Sequence, residues 1–273
     1  MLRTRLISAI VMIPLVIYGV LYLSTDVFML VLAAILLAGA WEWGRLAGLQ
    51  TVTARLAYMV IMAGLFWTAF QLGLEVIAMP LLLLACAWWL CALIWLTRPK
   101  LCAANNVACV TAKLLAGVLV CVPAWAALAL VHGAAADGPR LVLILLVMVW
   151  LADSGAYFAG RYLGKHKLAP VVSPGKTWEG VYGGLLASVA FAGAIAWLLL
   201  EAAFPWTVKF MLAALVAMMF SVVGDLLVSL LKRQGGIKDS GNIIPGHGGI
   251  FDRIDSLVAA APLFFAAYRW LEL

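Results

Sequence analysis

Residues Ser229–Asp255 read SLLKRQGGIKDSGNIIPGHGGIFDRID, and two very apolar runs enter this stretch from either side, Val208–Leu231 and Ile250–Leu271. Its 27 residues hold three acids, four bases, one histidine and six glycines. A helix needs roughly 20 apolar residues to cross the hydrocarbon core of a bilayer. The stretch therefore reads as a polar connection between two membrane spans. Charge this dense at the mouth of two spans is costly and calls for a partner. A phosphate-rich, metal-bound ligand would supply one.

The same pattern extends outward in both directions. The chain is 67% hydrophobic and 11% charged over 273 residues, more apolar than a soluble domain of that length needs. Further apolar runs are Leu6–Leu23, Val27–Leu46, Leu56–Leu72, Val76–Leu96, Val107–Val131, Leu141–Ala159 and Val181–Ala203. No window alternates with period two, which argues against a transmembrane barrel. Backbone groups in lipid must then be satisfied within helices. The expected fold is all-α, a polytopic integral membrane helical bundle of about nine transmembrane helices.

Charge orients the bundle. The net charge is +6. With the N-terminus in the cytoplasm, 15 of the 18 Lys and Arg residues fall at cytoplasmic ends, and only Arg140, Lys209 and Arg269 fall outside. Basic residues favour the cytoplasmic loops, so the N-terminus is expected inside and the C-terminus outside. The first run follows Arg3 and Arg5 as a signal peptide would, but it is long and lacks a small-x-small cleavage site, so a retained helix is expected. The cysteines, Cys86, Cys91, Cys102, Cys109 and Cys121, form no CxxC pair and read as reduced, packed residues. The bases sit in short loops beside acids, with no separate basic domain, which argues against a nucleic-acid partner.

Polarity also divides the chain. Residues 1–140 read as a transmembrane scaffold. Residues 141–273 carry the chemistry, with cytoplasmic loops at 160–180 and 232–249. Pro14, Pro80 and Pro123 lie inside spans, where they are tolerated. Glu42 and Arg45, three residues apart on one helix, are expected to pair locally.

Asp153, Asp225 and Asp252 lie within spans near the ends assigned to the cytoplasm, with Asp255 one turn deeper. Acids at similar depth in separate helices suggest one shared cavity. Asp225, Ser229, Lys232 and Arg233 share a helix face, as do Asp153, Tyr157 and Arg161, and Asp252 neighbours Asp255 at i, i+3. Carboxylates converging from separate helices suit a hard cation such as Mg²⁺ that leaves positions open for phosphate oxygens. The bland alternative is an intramembrane ion pair such as Asp225 with Arg253. The loop 232–249 adds Lys232, Arg233, Lys238 and His247. Its glycines, Gly248 and Gly249 among them, would let backbone N–H groups approach phosphate at the start of the last helix. The second loop brings Arg161, Lys165, His166, Lys167, Lys176 and Glu179 to the same side. Its GKT at 175–177 is not a Walker A motif, because Pro170 stands where the first glycine belongs and no strand context is expected.

The run S-x-L-K-R-x4-K-D-x-G-x2-I-P-x-H-G-G-I-x-D-R-I-D, residues 229–255, resembles the signature of the phosphatidate cytidylyltransferases, the CDP-diacylglycerol synthases. DSGAYFAGRYLGKHKLAPVVSPGKTWEG at 153–180 and GDLLV at 224–228 resemble the family too. The resemblance implies the reaction CTP + phosphatidate → CDP-diacylglycerol + pyrophosphate. It implies Mg²⁺ dependence, with room for a second, monovalent cation such as K⁺, and a homodimer in a bacterial cytoplasmic membrane. On the matched motif, Asp225 and Asp252 look like metal ligands. Lys232, Arg233, Lys238, His247 and Arg253 become candidates for triphosphate and phosphatidate contacts. Lys176, Ser229, Asp239, Gly248, Gly249, Asp153 and Asp255 complete the candidate substrate-binding set.

Two rival classes fit the residues less well. An ion-coupled transporter of a phosphorylated substrate would also place acids in spans. Here the acids gather at one membrane face, without an inverted repeat. A CDP-alcohol phosphotransferase needs acids four apart on a helix, whereas Asp252 and Asp255 are three apart.

Overall fold

The computed structural model describes residues 2–134, 137–198, 202–241 and 248–272, with residues 2–9 described by their backbone alone. Among these residues the chain forms α1 (Leu2–Tyr22), α2 (Thr25–Ala47), α3 (Val52–Leu72), α4 (Leu74–Thr97), α5 (Val107–His132) and α6 (Gly138–Leu163). A small hairpin of β1 (Lys167–Ala169) and β2 (Ser173–Thr177) follows, then α7 (Trp178–Leu198), α8 (Phe204–Gln234) and α9 (Phe251–Trp270). The chain is an all-helical integral membrane bundle, as its composition demands. Seven helices, α2 to α8, are long and apolar enough to cross a membrane. The apolar runs of the sequence number nine. Of the two outside this set, α1 contributes a shorter apolar stretch, Ile10–Tyr22. The first two turns of α9 carry Asp252, Arg253 and Asp255, and its residues Val258–Ala267 are buried within the protein.

Local chemistry sets several helix starts. Ser24, Thr51 and Asn106 accept hydrogen bonds from the backbone N–H of Val27, Ala54 and Cys109 at 3.5, 3.2 and 2.9 Å. These oxygens satisfy donors that a helix cannot pair internally.

The centre of the bundle is α5, continuously buried from Val120 to His132, with α9 against it. A helix buried all round is apolar all round. Polar tips of aromatic residues fasten other helices to it. Trp43 Nε1 donates to Lys113 O at 2.7 Å, and Tyr58 Oη donates to Leu114 O at 3.0 Å. Buried donors of this kind gain from an acceptor.

In lipid, helices associate by close backbone packing more than by apolar burial. Two such contacts position the site. Gly155 of α6 lies so close to α7 that a Cβ there would stand 2.9 Å from Gly183 O. Gly224 of α8 faces α9, where a Cβ would fall on the Asp255 carbonyl and stand 2.7 Å from Ala259 Cβ. Asp153 and Asp225 sit beside these glycines and are thereby held at the helix contacts.

Loop 160–180 contains structure that the sequence did not announce. The strands pair antiparallel with Lys167 opposite Thr177 and Ala169 opposite Ser173. Closure is local: Val172 N–H donates to Ala169 O at 3.2 Å and Trp178 N–H to His166 O at 2.9 Å. So short a hairpin leaves no alternating pattern to read. Val172, 3% exposed, pins its turn into the core, and Thr177 Oγ1 accepts from Gly180 N–H at 3.2 Å to start α7.

Candidate active site

The last turns of α6 and α8, the first turns of α9 and the hairpin all lie at one end of the bundle. Two carboxylate–ammonium pairs form there. In the first, Lys176 Nζ of β2 lies 2.5 Å from Asp225 Oδ2 of α8, with the side chains 26% and 29% exposed. Ser229 Oγ donates to Asp225 Oδ1 at 3.2 Å, one helical turn away as the spacing required. Asp153 and Asp255 lie within electrostatic reach of Asp225 and Lys176, and Asp153 also interacts with Arg253. Asp255 is buried, and its Oδ1 accepts from Ser256 N–H at 2.8 Å.

In the second pair, Lys232 Nζ lies 2.7 Å from Asp252 Oδ1, with the side chains 16% and 10% exposed. Asp252 Oδ2 accepts from Ser240 N–H at 2.9 Å and Gly249 N–H at 3.1 Å, and Ser240 Oγ stands 3.0 Å from it. Asp252 is thus held on both oxygens, whereas Asp225 is held by side chains alone.

The two acids read as metal ligands therefore centre two clusters. Asp225 is grouped with Asp153, Asp255 and Lys176, and Asp252 with Lys232 and Ser240. The donors around Asp225 are carboxylate oxygens, the chemistry a hard divalent cation takes. Among the described residues no three His, Cys, Asp or Glu side chains converge tightly enough to cage an ion. Asp225 is ion-paired with Lys176.

The remaining candidates are placed as follows. Arg233 Nε donates to Val172 O at 3.3 Å, so this side chain ties α8 to the hairpin turn. Lys238 and Asp239 are exposed on the loop, and Arg253 is exposed on α9. Gly248 has φ +83°, a left-handed conformation that favours glycine. His247 lies outside the described residues. The Gly249 N–H, expected to face phosphate, is engaged by Asp252. Arg161 donates to Tyr157 Oη at 2.7 Å, and His166 Nδ1 meets Glu179 Oε1 at 2.6 Å.

One functional candidate was missed. Glu42 of α2, 2% exposed, was expected to pair with Arg45. Its carboxylate instead turns to α9 and the loop: Oε1 accepts from Ile250 N–H at 3.1 Å, and Oε2 from Phe251 N–H at 2.9 Å and Ser240 Oγ at 2.9 Å. The available signal was an acid inside the apolar run Val27–Leu46, the same signal that marked Asp153 and Asp225.

The sequence of the chain has known relatives. Residues 3–271 match the model of the cytidylyltransferase family. The chain is 43% identical to a phosphatidate cytidylyltransferase of Pseudomonas aeruginosa over 272 residues, covering 99% of this chain and 97% of that protein. The chain belongs to the cytidylyltransferase family. A phosphatidate cytidylyltransferase of Haemophilus influenzae is 35% identical over 304 residues, covering 98% of this chain and 99% of the relative. Similarity to this family thus runs through all the helices and is not confined to the signature of residues 229–255. A cytidylyltransferase is a nucleotidyltransferase, and clusters of paired carboxylates and ammoniums suit the transfer of a charged phosphoryl-type group.

Proposed function

We propose that this chain transfers the cytidylyl group of CTP to phosphatidate, giving CDP-diacylglycerol and pyrophosphate for phospholipid synthesis. The observation that carries this reading is the end-to-end similarity to the P. aeruginosa phosphatidate cytidylyltransferase.

The phosphate of phosphatidate is already an anionic nucleophile and needs little general-base help. The difficulty is charge, because it must approach the equally anionic α-phosphate of CTP. Asp225 and Asp252 are the residues that would hold Mg²⁺, with Asp153 and Asp255 beside Asp225. Bound there, Mg²⁺ supplies Lewis-acid neutralisation of phosphate oxygens. Lys176 and Lys232 each rest on a carboxylate, and each can exchange it for a phosphate oxygen. Lys238, His247 and Arg253 would stabilise charge on the leaving pyrophosphate. Arg233 would hold the hairpin, and with it Lys176, in register over α8. In-line geometry then comes from fixed placement of the two phosphates.

The acyl chains would stay in the bilayer while CTP arrives from the cytoplasm, the side to which the charge bias assigns this end of the bundle. The membrane would be the bacterial cytoplasmic membrane. A monovalent cation such as K⁺ and a homodimer belong to the same proposal.

The test is a detergent-micelle assay of the purified protein with labelled CTP, dioleoyl phosphatidate and Mg²⁺. Mg²⁺-dependent formation of CDP-diacylglycerol together with pyrophosphate is expected. Folded protein that forms neither product would overturn the reading.

A further inference from the structure

We infer that Glu42 is a positioning residue for this reaction, which caps the first turn of α9 and grips Ser240 so that Asp252 is presented in one orientation beside Lys232. The inference rests on the reading that Asp252 takes part in the reaction.

A carboxylate 2% exposed inside an apolar helix is expensive unless both of its oxygens are satisfied. Among the described residues, the donors to Glu42 are three groups of one functional segment: the backbone N–H of Ile250 and Phe251, and the Ser240 hydroxyl. Ser240 Oγ stands 2.9 Å from Glu42 Oε2 and 3.0 Å from Asp252 Oδ2. Its single proton can go to either oxygen, so the hydroxyl stands between the carboxylate of α2 and that of α9 and serves one of them at a time. Negative charge at a helix N-terminus is favoured by the helix dipole and by the unpaired N–H groups there. Glu42 therefore fixes where α9 begins, and Asp252 lies in that first turn.

Two further observations show that the chain is built around this carboxylate. A Cβ at Gly241 would fall on Glu42 Oε1, and a Cβ at Gly249 would meet Ser240 Oγ and stand 2.5 Å from Glu42 Oε2. Both glycines let the backbone close on the carboxylate. In addition, α2 is seated on the same turn of α9. The Trp43 ring lies 4.9 Å from that of Phe251, tilted by 53°, and a Cβ at Gly39 would stand 3.0 Å from the Phe251 ring. The hydrogen bond from Trp43 to Lys113 O fixes the helix that carries Glu42. Among the described residues the N-cap residue of α9, Ile250, has no side-chain hydrogen bond to the helix start, and Glu42 supplies acceptors for Ile250 and Phe251 N–H from α2.

The test uses the full chain in detergent micelles with CTP, dioleoyl phosphatidate and Mg²⁺. Wild type is compared with Glu42→Gln, Ser240→Ala, the double variant and Asp252→Asn, reading kcat, KM for CTP and thermal unfolding. Gln keeps the shape of Glu42 but turns an NH₂ group toward a backbone donor. Glu42→Gln is expected to lower kcat about tenfold or more, because a small misplacement of a reacting group costs that much. KM for CTP should stay within about threefold, since ground-state binding is not what Glu42 supports. Ser240→Ala should lose less, because Asp252 keeps Lys232 and two backbone donors. The double variant should match Glu42→Gln within about twofold, the signature of two residues acting along one path. Multiplied losses in the double variant would overturn the inference. So would an Asp252→Asn variant without activity beside a Glu42→Gln variant within about twofold of wild type in kcat. A near-normal Asp252→Asn would instead remove Asp252 from the chemistry, and the inference with it. If Glu42→Gln does not fold, Ser240→Ala decides: unchanged kcat overturns the inference, and a fall in kcat at constant KM supports it.

Discussion

Lys176 and Lys232 end on carboxylates of two different helices at 2.5 and 2.7 Å, and the acids differ in how firmly they are held. Asp252 has backbone donors from the loop and from its own helix start, whereas Asp225 relies on the side chains of Lys176 and Ser229. Asp252→Asn should therefore leave the fold intact, since an amide still accepts on one oxygen. Turnover should fall about 100-fold or more, the size of effect seen when charge stabilisation is lost at a reacting centre. The checks are kcat and an unfolding scan on one preparation, and an active variant would remove Asp252 from the metal site. Lys176→Ala leaves Asp225, Asp153 and Asp255 facing one another without the ammonium between them. Repulsion of that kind destabilises, so a lower unfolding temperature and a lower kcat/KM are expected together, the first relieved by added Mg²⁺. Spacing marked all four of these aspartates. It misread Glu42 because helical spacing compares a residue only with its own helix. The true partners of Glu42 lie 198 residues away at Ser240 and 209 away at Phe251.

At the scale of elements, the contact of α8 with α9 sets the first cluster. Gly224 precedes Asp225 and presses on the carbonyl of Asp255, so a side chain at 224 must push the two helices apart. Gly224→Ala should destabilise the protein by on the order of 1–3 kcal/mol, as over-packing does, and should reduce turnover. Gly64→Ala is the matched control. Nothing lies within 4 Å of its added methyl, and replacing Gly by Ala in an open helix favours folding by about 0.5–1 kcal/mol. Unfolding scans of the two variants should shift in opposite directions. The helices themselves were legible from hydropathy, because lipid permits little else. The hairpin was not, because three- and five-residue strands give no periodic signal. The glycines of the loop were read as room for phosphate. Gly241 and Gly249 also let the backbone close on Glu42 and Ser240. Sequence shows that small residues are needed but not what approaches them.

For the whole molecule, the charge bias predicts a sidedness that can be measured directly. Lys238→Cys should react with a membrane-impermeant maleimide in inside-out vesicles and be protected in right-side-out vesicles, above the background of the native cysteines. The reverse result would invert the bundle and place CTP on the wrong side for the proposed reaction. The span count is the least legible feature at this scale. Hydropathy marks α2 to α8 as crossing helices, but α9 is both buried and charged, and hydropathy reads such a helix ambiguously.

The reach of Glu42 from α2 into the first turn of α9 has a practical consequence for dissecting the protein. The signature lies wholly in the C-terminal half, which invites trimming the chain to residues 141–273 as a minimal catalyst. That fragment would leave Ile250 N–H, Phe251 N–H and Ser240 without the acceptor that holds them. It should be inert alone, yet recover activity when residues 1–140 are co-expressed as a separate polypeptide. On this view the signature marks where the chemistry happens, and the smallest heritable unit of function is the whole bundle.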